Sequence, residues 1–240
     1  MENFEYIREN LAEISAKVAA AQKQTSFSHP VRVLLATKYA AAPEINFAKS
    51  LGYTYIGENR VQSLLEKYDA LDRDGLHLWF IGSLQRNKVR QIIDKVEMIA
   101  SLDSLSLAQE IEKQAARRGL RMDCLVEINI GKEKAKGGIF PEAAEEFITS
   151  LSSFSHLRLC GLMSMAPRCD SDAAYRPYFA ECRALFERLR AQGAFPTDEP
   201  ILSMGMSGSF VPAIAEGSTC VRIGRAAFAK AGSAEKTQEI

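Results

Sequence analysis

Several absences narrow the field first. No run of about eighteen apolar residues occurs anywhere in the 240 residues, so a membrane-spanning helix is not expected. Neither sign of charge is in excess, because 30 Lys and Arg stand against 30 Asp and Glu; this removes any overall electrostatic pull toward nucleic acid or anionic membrane. The five cysteines (Cys124, Cys160, Cys169, Cys182, Cys220) form no C-x-x-C pair and are odd in number, which predicts reduced core thiols rather than a disulfide framework. His29, His77 and His156 are dispersed and never paired at metal-ligand spacing on a helix, so no metal site is expected. Met1-Glu2-Asn3-Phe4-Glu5 lacks the basic head and apolar stretch of a signal peptide, and the expectation is a cytoplasmic protein. There is no linker rich in Gly, Pro or Ser and no low-complexity tract. One domain over 1–240 is predicted, with a leading helix over 1–25 and a flexible tail over 231–240.

What is present is an alternation. Phe4, Ile7, Leu11, Ile14 and Val18 recur three and four apart, as on one face of an amphipathic helix. After it, short apolar runs alternate with helical stretches. The runs are Val31–Lys38, Tyr53–Asn59, Leu76–Gly82, Val96–Leu102, Met122–Ile130, Leu157–Ser164, Ile201–Met206 and Cys220–Arg225. Ser104 is placed to cap a helix that Gly119 ends, and Gly193 ends another carrying Phe179, Cys182, Leu185, Phe186 and Leu189. Eight strands each followed by a helix or helical turn favour an α/β fold, a closed (β/α)8 TIM-type barrel with an extra N-terminal helix. No G-x-G-x-x-G follows the first strand, which argues against the open, doubly wound alternative.

In a parallel barrel the site lies at the C-terminal ends of the strands, and here those ends are polar. Lys38 closes the first run and Gly57-Glu58-Asn59 the second; Gly82 to Lys88 follow the third. A lysine at the edge of a dry core has the lone pair that Schiff-base chemistry requires. The alternative is a surface lysine whose stem snorkels past the strand end. Ser207-Gly208-Ser209 leads into a short helix, and its N–H groups and two hydroxyls could hold an anion. Gly224-Arg225 offers further backbone donors. Alternation along the last strand puts Val221 and Ile223 outward and turns Arg222 into the mouth, where a buried guanidinium needs an acceptor. An amine, an arginine and an anion cradle describe a site for a phosphorylated carbonyl compound. Pyridoxal 5′-phosphate and a phosphosugar both satisfy that description. The lysine-rich loop at 132–138, including Lys136, reads mainly as a solvated loop on the rim. Arg86 and Lys88 are candidates for a substrate carboxylate or a partner. Met163, Met165, Met204 and Met206 read as packing near the ring of a ligand rather than as redox groups.

Ala36-Thr37-Lys38, Gly57-Glu58-Asn59, Phe80 to Lys88, Gly161-Leu162-Met163, Leu202 to Ser207 and Gly217 to Gly224 stand in an order that resembles the pyridoxal phosphate homeostasis proteins, an alanine racemase N-terminal-domain-like family. The likeness runs from the first strand to Phe228. It implies a barrel holding pyridoxal 5′-phosphate on Lys38 as a Schiff base, with Asn59, Met204, Ser207, Arg222, Gly224 and Arg225 as the other cofactor-binding residues; Arg222 would face the pyridine nitrogen. It implies a role in vitamin B6 homeostasis without robust catalysis, with a pyridoxal-dependent racemase or lyase, or a Schiff-base aldolase, as alternatives. Implied partners are the cofactor and apo pyridoxal enzymes, with no nucleic acid and no membrane; a monomer is expected and a dimer is the alternative. Four places depart from the family pattern. Trp79 replaces a histidine, Ser83 a proline, Gly208-Ser209 an acidic pair and Arg225 a small hydroxylated residue.

Overall fold

The computed structural model describes residues 4–133 and 135–230. Eight parallel strands close in chain order: β1 Arg32–Ala36, β2 Tyr55–Glu58, β3 His77–Phe80, β4 Met98–Leu102, β5 Met122–Ile128, β6 Leu157–Ser164, β7 Ile201–Met206 and β8 Cys220–Ile223. β8 pairs back onto β1. Around them lie α1 Glu5–Gln24, α2 Ala42–Ser50, α3 Val61–Tyr68, α4 Val89–Ile92, α5 Leu105–Arg117, α6 Ala144–Ser150, α7 Asp172–Ala191, α8 Phe210–Ala215 and α9 Arg225–Phe228. The expected barrel is observed. The expected tail at 231–240 lies outside the described residues.

The hydrophobic pattern accounts for two separate cores. Leu34, Trp79, Met98, Ala100, Leu125, Cys160, Met163, Ile201 and Cys220 fill the barrel interior. Their strand neighbours, such as Leu35, Ile56, Phe80, Ile99, Val126, Val221 and Ile223, pack outward under the helices. Trp79 is one of the interior residues and sits edge-on to Tyr55 at 5.9 Å. The five cysteines are free thiols; four are buried and Cys169 is half-buried.

The helix ends follow their sequence signals. Ser104 Oγ accepts from Leu107 N at 3.4 Å, and Gly119 follows α5 with φ 62°. Pro141 opens a short 3-10 turn that runs into α6. The leading helix buries Ile7, Leu11, Ile14, Val18 and Ala21 against α8 and α9. Asn10 Nδ2 donates to Ala227 O (3.2 Å) and Ala229 O (2.9 Å), so α1 pins the short helix that follows β8.

Most strands end earlier than the sequence suggests. β1 stops at Ala36 because Thr37 N makes its last ladder-like bond to Gly57 O (2.9 Å), and Ala40 N then closes a turn onto Thr37 O (3.1 Å). Lys38 therefore lies in that turn, beyond the strand.

Candidate functional site

A buried ionic network underlies the first two strand exits. Glu58, 1% exposed, accepts from Thr37 Oγ1 at 2.7 Å and from Lys67 Nζ at 2.6 Å. Lys67 reaches back from α3 and also donates to Thr37 O at 2.7 Å. One ammonium thus ties the residue before Lys38 to the residue before Asn59. Above this network Lys38 is half-buried, with its Nζ 4.6 Å from the ring centroid of Tyr39, a side chain 80% exposed. The amine is therefore not set in a dry core, as its place at the end of an apolar run suggested. A hydrogen bond with Lys38, together with the positive charges of Lys38, Arg60 and Arg225, holds the Tyr39 hydroxyl below its usual range. That influence puts the β1 exit and the β8 exit in one cationic neighbourhood.

Asn59 is half-buried, and its Oδ1 is shielded from solvent with no hydrogen-bond donor. Its backbone is packed so closely against Gly82 that a β-carbon there would lie 2.2 Å from Asn59 O. Hence the third strand must leave the barrel through a glycine. Gly224 makes a looser version of that approach between β8 and β1, since a β-carbon on it would stand 3.1 Å from Ala36 O, tight but not excluded. Lys38 is only two residues beyond Ala36, at most about 7.6 Å along the chain. The backbone of Lys38 and the β8 exit are therefore neighbours at the rim.

The β7 and β8 exits meet at Ser207. Its Oγ accepts from Gly224 N at 3.3 Å and from Ala226 N at 3.4 Å, both long, where the first turn of α9 presents unpaired donors. Arg225 is exposed beside them. Ser209 does not join: its Oγ turns back to accept from Met206 N at 3.1 Å. Of the two hydroxyls expected to face an anion, one remains.

Arg222 is inward, as alternation along β8 predicts, and 5% exposed. Its acceptors are neutral: Nη1 donates to Ser203 O (3.0 Å) and Ser203 Oγ (2.9 Å), and Nη2 to Ser164 O (2.9 Å). This leaves Nε–H and one Nη2–H of the five guanidinium donors. No carboxylate among the described residues lies within ion-pair distance of it.

Met204 does not share the mouth. It is fully buried in the outer core, and its carbonyl is taken by Ser218 Oγ at 2.8 Å. Alternation from inward Ile201 turns Met204 outward with Leu202; beyond it Gly205, at φ 91°, lies in a register shift, so that Met206 and not Gly205 pairs with Arg222. Lys136 is exposed and ion-paired to Glu133 at 2.8 Å. Arg86 and Asn87 border an open groove of about 850 Å³ against the start of α5, apart from the mouth.

The sequence reading missed Glu127. Leu125 and Glu127 share the inner face of β5, and Glu127 is in register with Met163 of the interior core. Burial, and next the charge of Asp103, raise its carboxyl to about 7, with Arg222 partly offsetting them. The signal was available, since the alternation that turned Arg222 inward applies equally to this lone carboxylate in an apolar strand. No group of three or more metal-ligating side chains occurs among the described residues, and no helix among them is long and apolar enough to cross a membrane.

Residues 1–231 match the family model for the alanine racemase N-terminal domain. A pyridoxal phosphate homeostasis protein of Aquifex aeolicus is 37% identical over 221 residues, which covers 92% of this chain and 96% of that protein. The crystal structure of a Bifidobacterium adolescentis protein of unknown function superposes with TM-score 0.89 at 32% identity, covering 95% of this chain and 97% of that one. PipY of Synechococcus elongatus, solved with PLP bound, gives TM-score 0.80 at 28% identity over 93% of this chain and all of that one.

Proposed function

The chain belongs to the alanine racemase N-terminal-domain family, among the pyridoxal phosphate homeostasis proteins, and from that premise we propose that it binds pyridoxal 5′-phosphate covalently at Lys38 and acts in the intracellular balance of vitamin B6. The observation that carries the reading is the pairing of two exits. Lys38 stands in the turn two residues beyond Ala36, against which Gly224 packs, and the Gly224 and Ala226 N–H groups are held only loosely by a hydroxyl. An aldehyde at one end and a phosphate at the other is the ligand shape that spans them.

The residues fit the group. Lys38 offers the nucleophilic nitrogen. Gly224 N, Ala226 N, the Ser207 hydroxyl and the exposed guanidinium of Arg225 offer donors to phosphate oxygens. Asn59 Oδ1 is a shielded acceptor in want of a donor. When bound, pyridoxal 5′-phosphate supplies an electrophilic aldehyde and a ring able to draw electrons from carbon.

The protein's part is to limit the second property. Arg222 has only donors and remains a cation although burial lowers its pKa. A ring nitrogen facing it must accept a hydrogen bond and carries no proton of its own, which leaves the ring a poor electron sink. Holding and delivering the cofactor, with no robust turnover, is the function that follows. Apo pyridoxal enzymes are the recipients this implies.

The test is direct. Protein loaded with pyridoxal 5′-phosphate should be yellow, and borohydride should fix the adduct on the peptide carrying Lys38; Lys38→Ala should do neither. A colourless wild-type protein at saturating cofactor, or an adduct on another lysine, would remove the reading. Loaded protein in deuterated water should exchange the α-hydrogen of alanine no faster than free pyridoxal 5′-phosphate does. Rapid exchange abolished in Lys38→Ala would make it a racemase-type enzyme instead.

A further inference from the structure

Glu127 has no part in the reading above, yet it stands in the same mouth. It is only 8% exposed. No donor among the described residues bonds its carboxyl oxygens, and no cation among them forms an ion pair with it. The charged groups that face it are Asp103 from the exit of β4 and Arg222 from β8; β6 contributes Met163 and Ser164, which carry no charge. Of the described lysines in the loop beyond β5, Lys132 is committed to Glu142 and Glu181 and Lys136 to Glu133. Among the described residues Arg222 is the facing cation, and three of its donors already serve Ser203 and Ser164. A buried carboxylate beside a second carboxylate, with no bonded partner, is poorly stabilised in its charged form.

The proposed ligand makes that worse, since its phosphate carries negative charge into the same mouth. We propose that Glu127 is the proton store of this site: its carboxyl takes a proton from solvent as an anionic, phosphorylated ligand enters and returns it as the ligand leaves. Glu127 is thereby a specificity-determining group, because its neutral form tolerates an anion better than its charged form does. The inference rests on reading the mouth as a pyridoxal phosphate site.

Its sign is fixed by linkage. The complex binds more protons than the separate protein and ligand, so this component of affinity is greatest below about pH 7 and is lost as pH rises through that value. Glu127→Gln fixes the neutral shape and should abolish the component. Dissociation constants for pyridoxal 5′-phosphate, measured from pH 6 to 8.5 on both proteins, cancel the titrations of ligand and Lys38 when taken as a ratio. Wild type and Glu127→Gln should bind alike at pH 6. By pH 8.5 the wild type should be weaker by about tenfold, the equivalent of one unit of pKa. Glu127→Asp should keep the slope. Infrared difference spectra of wild-type protein labelled with ¹³C-glutamate should gain a protonated carboxyl signal on loading at pH 7.5, a readout that needs no variant to fold. A flat ratio, or no gain in that signal, overturns the inference while leaving the binding site intact. If neither protein binds the cofactor, the reading of the site fails and the inference with it.

Discussion

The two ends of the barrel are built on opposite principles. At the N-terminal end polar groups are closed on one another. Arg158 grips Asp123 through two bonds of 2.7 and 2.5 Å, His77 Nδ1 meets Glu97 at 2.9 Å, and Arg32 lies over the Tyr55 ring, itself stacked on His77. At the C-terminal end Lys67, Thr37 and Glu58 Oε1 are closed in the same way one layer down, while Glu58 Oε2 is shielded without a donor. The layer above is left open among the described residues: Asn59 Oδ1 lacks a donor, Glu127 lacks a partner, and Ser207 holds two N–H groups at the limit of bonding distance. A barrel face that serves stability satisfies its own groups. A face that serves a ligand keeps some in want. Among the described residues the N-terminal face departs from this at a cavity of about 600 Å³ bordered by His29 and Arg183, where the His29 ring nitrogens and Arg183 Nε have no partner.

The strongest way to break the contrast is through the closed layer beneath the open one. Lys67→Met would leave Glu58 buried and charged without its cation, at a cost of about 3–5 kcal/mol. Denaturant unfolding should show that loss, and cofactor affinity should fall more than tenfold because the Thr37 and Glu58 backbones carry Lys38 and Asn59. Lys67→Arg should recover part of both. A destabilised variant with unchanged affinity would show that the network holds the fold and not the site.

Glu127 should behave in the opposite sense. Its folded pKa of about 7 exceeds the ordinary carboxylate value of 4.5, so the folded state binds the extra proton and stability declines as pH rises between those values. Glu127→Gln should therefore unfold at the same denaturant concentration as wild type near pH 4.5. Above pH 7 it should be the more stable protein, by about 3 kcal/mol. Equal stability at pH 8 would mean that the carboxyl has a partner in solution.

How much of this could be read beforehand depends on the range of the interaction. The eight strands were legible because each is an apolar run bounded by turn residues, and Arg222 because period-2 alternation fixes the face of a strand residue. The strand ends were overrun where polar exits such as Thr37-Lys38 continue the chain after the ladder has stopped. Met204 came from the family likeness alone; the same period, with Ile201 and Ser203 inward, already turns it outward beside Leu202. Lys67 was out of reach: an exposed-looking lysine on a helix gives no sign that it folds back to a carboxylate on the preceding strand. Ser209 depended on a turn closing over three residues, which a pair of hydroxyls flanking a glycine does not specify.

A smaller effect is expected at the closed end. Asp123→Asn removes the charge from a pair whose members are partly exposed, 40% for Arg158 and 22% for Asp123, so solvent has already screened much of it. Stability should drop by about 1 kcal/mol and cofactor affinity should not change. Any loss of affinity would mean that the ends are coupled through the interior layer of Leu125, Cys160 and Met163.

Ser207→Ala is the smallest and the most informative about the open end. The hydroxyl accepts from Gly224 N and Ala226 N at 3.3 and 3.4 Å, where geometry leaves each bond weak, so stability should shift by less than about 0.5 kcal/mol. Affinity reports on two opposed contributions. The alanine removes a donor from the phosphate, yet it also frees two backbone N–H groups that the ligand must otherwise take from the serine. If the hydroxyl rotates to donate when phosphate arrives, the first contribution dominates and affinity falls by about threefold to tenfold, the size of one neutral hydrogen bond. If affinity rises instead, the hydroxyl is a competitor of the ligand, and the open end of the barrel is less open than its unpaired groups suggest.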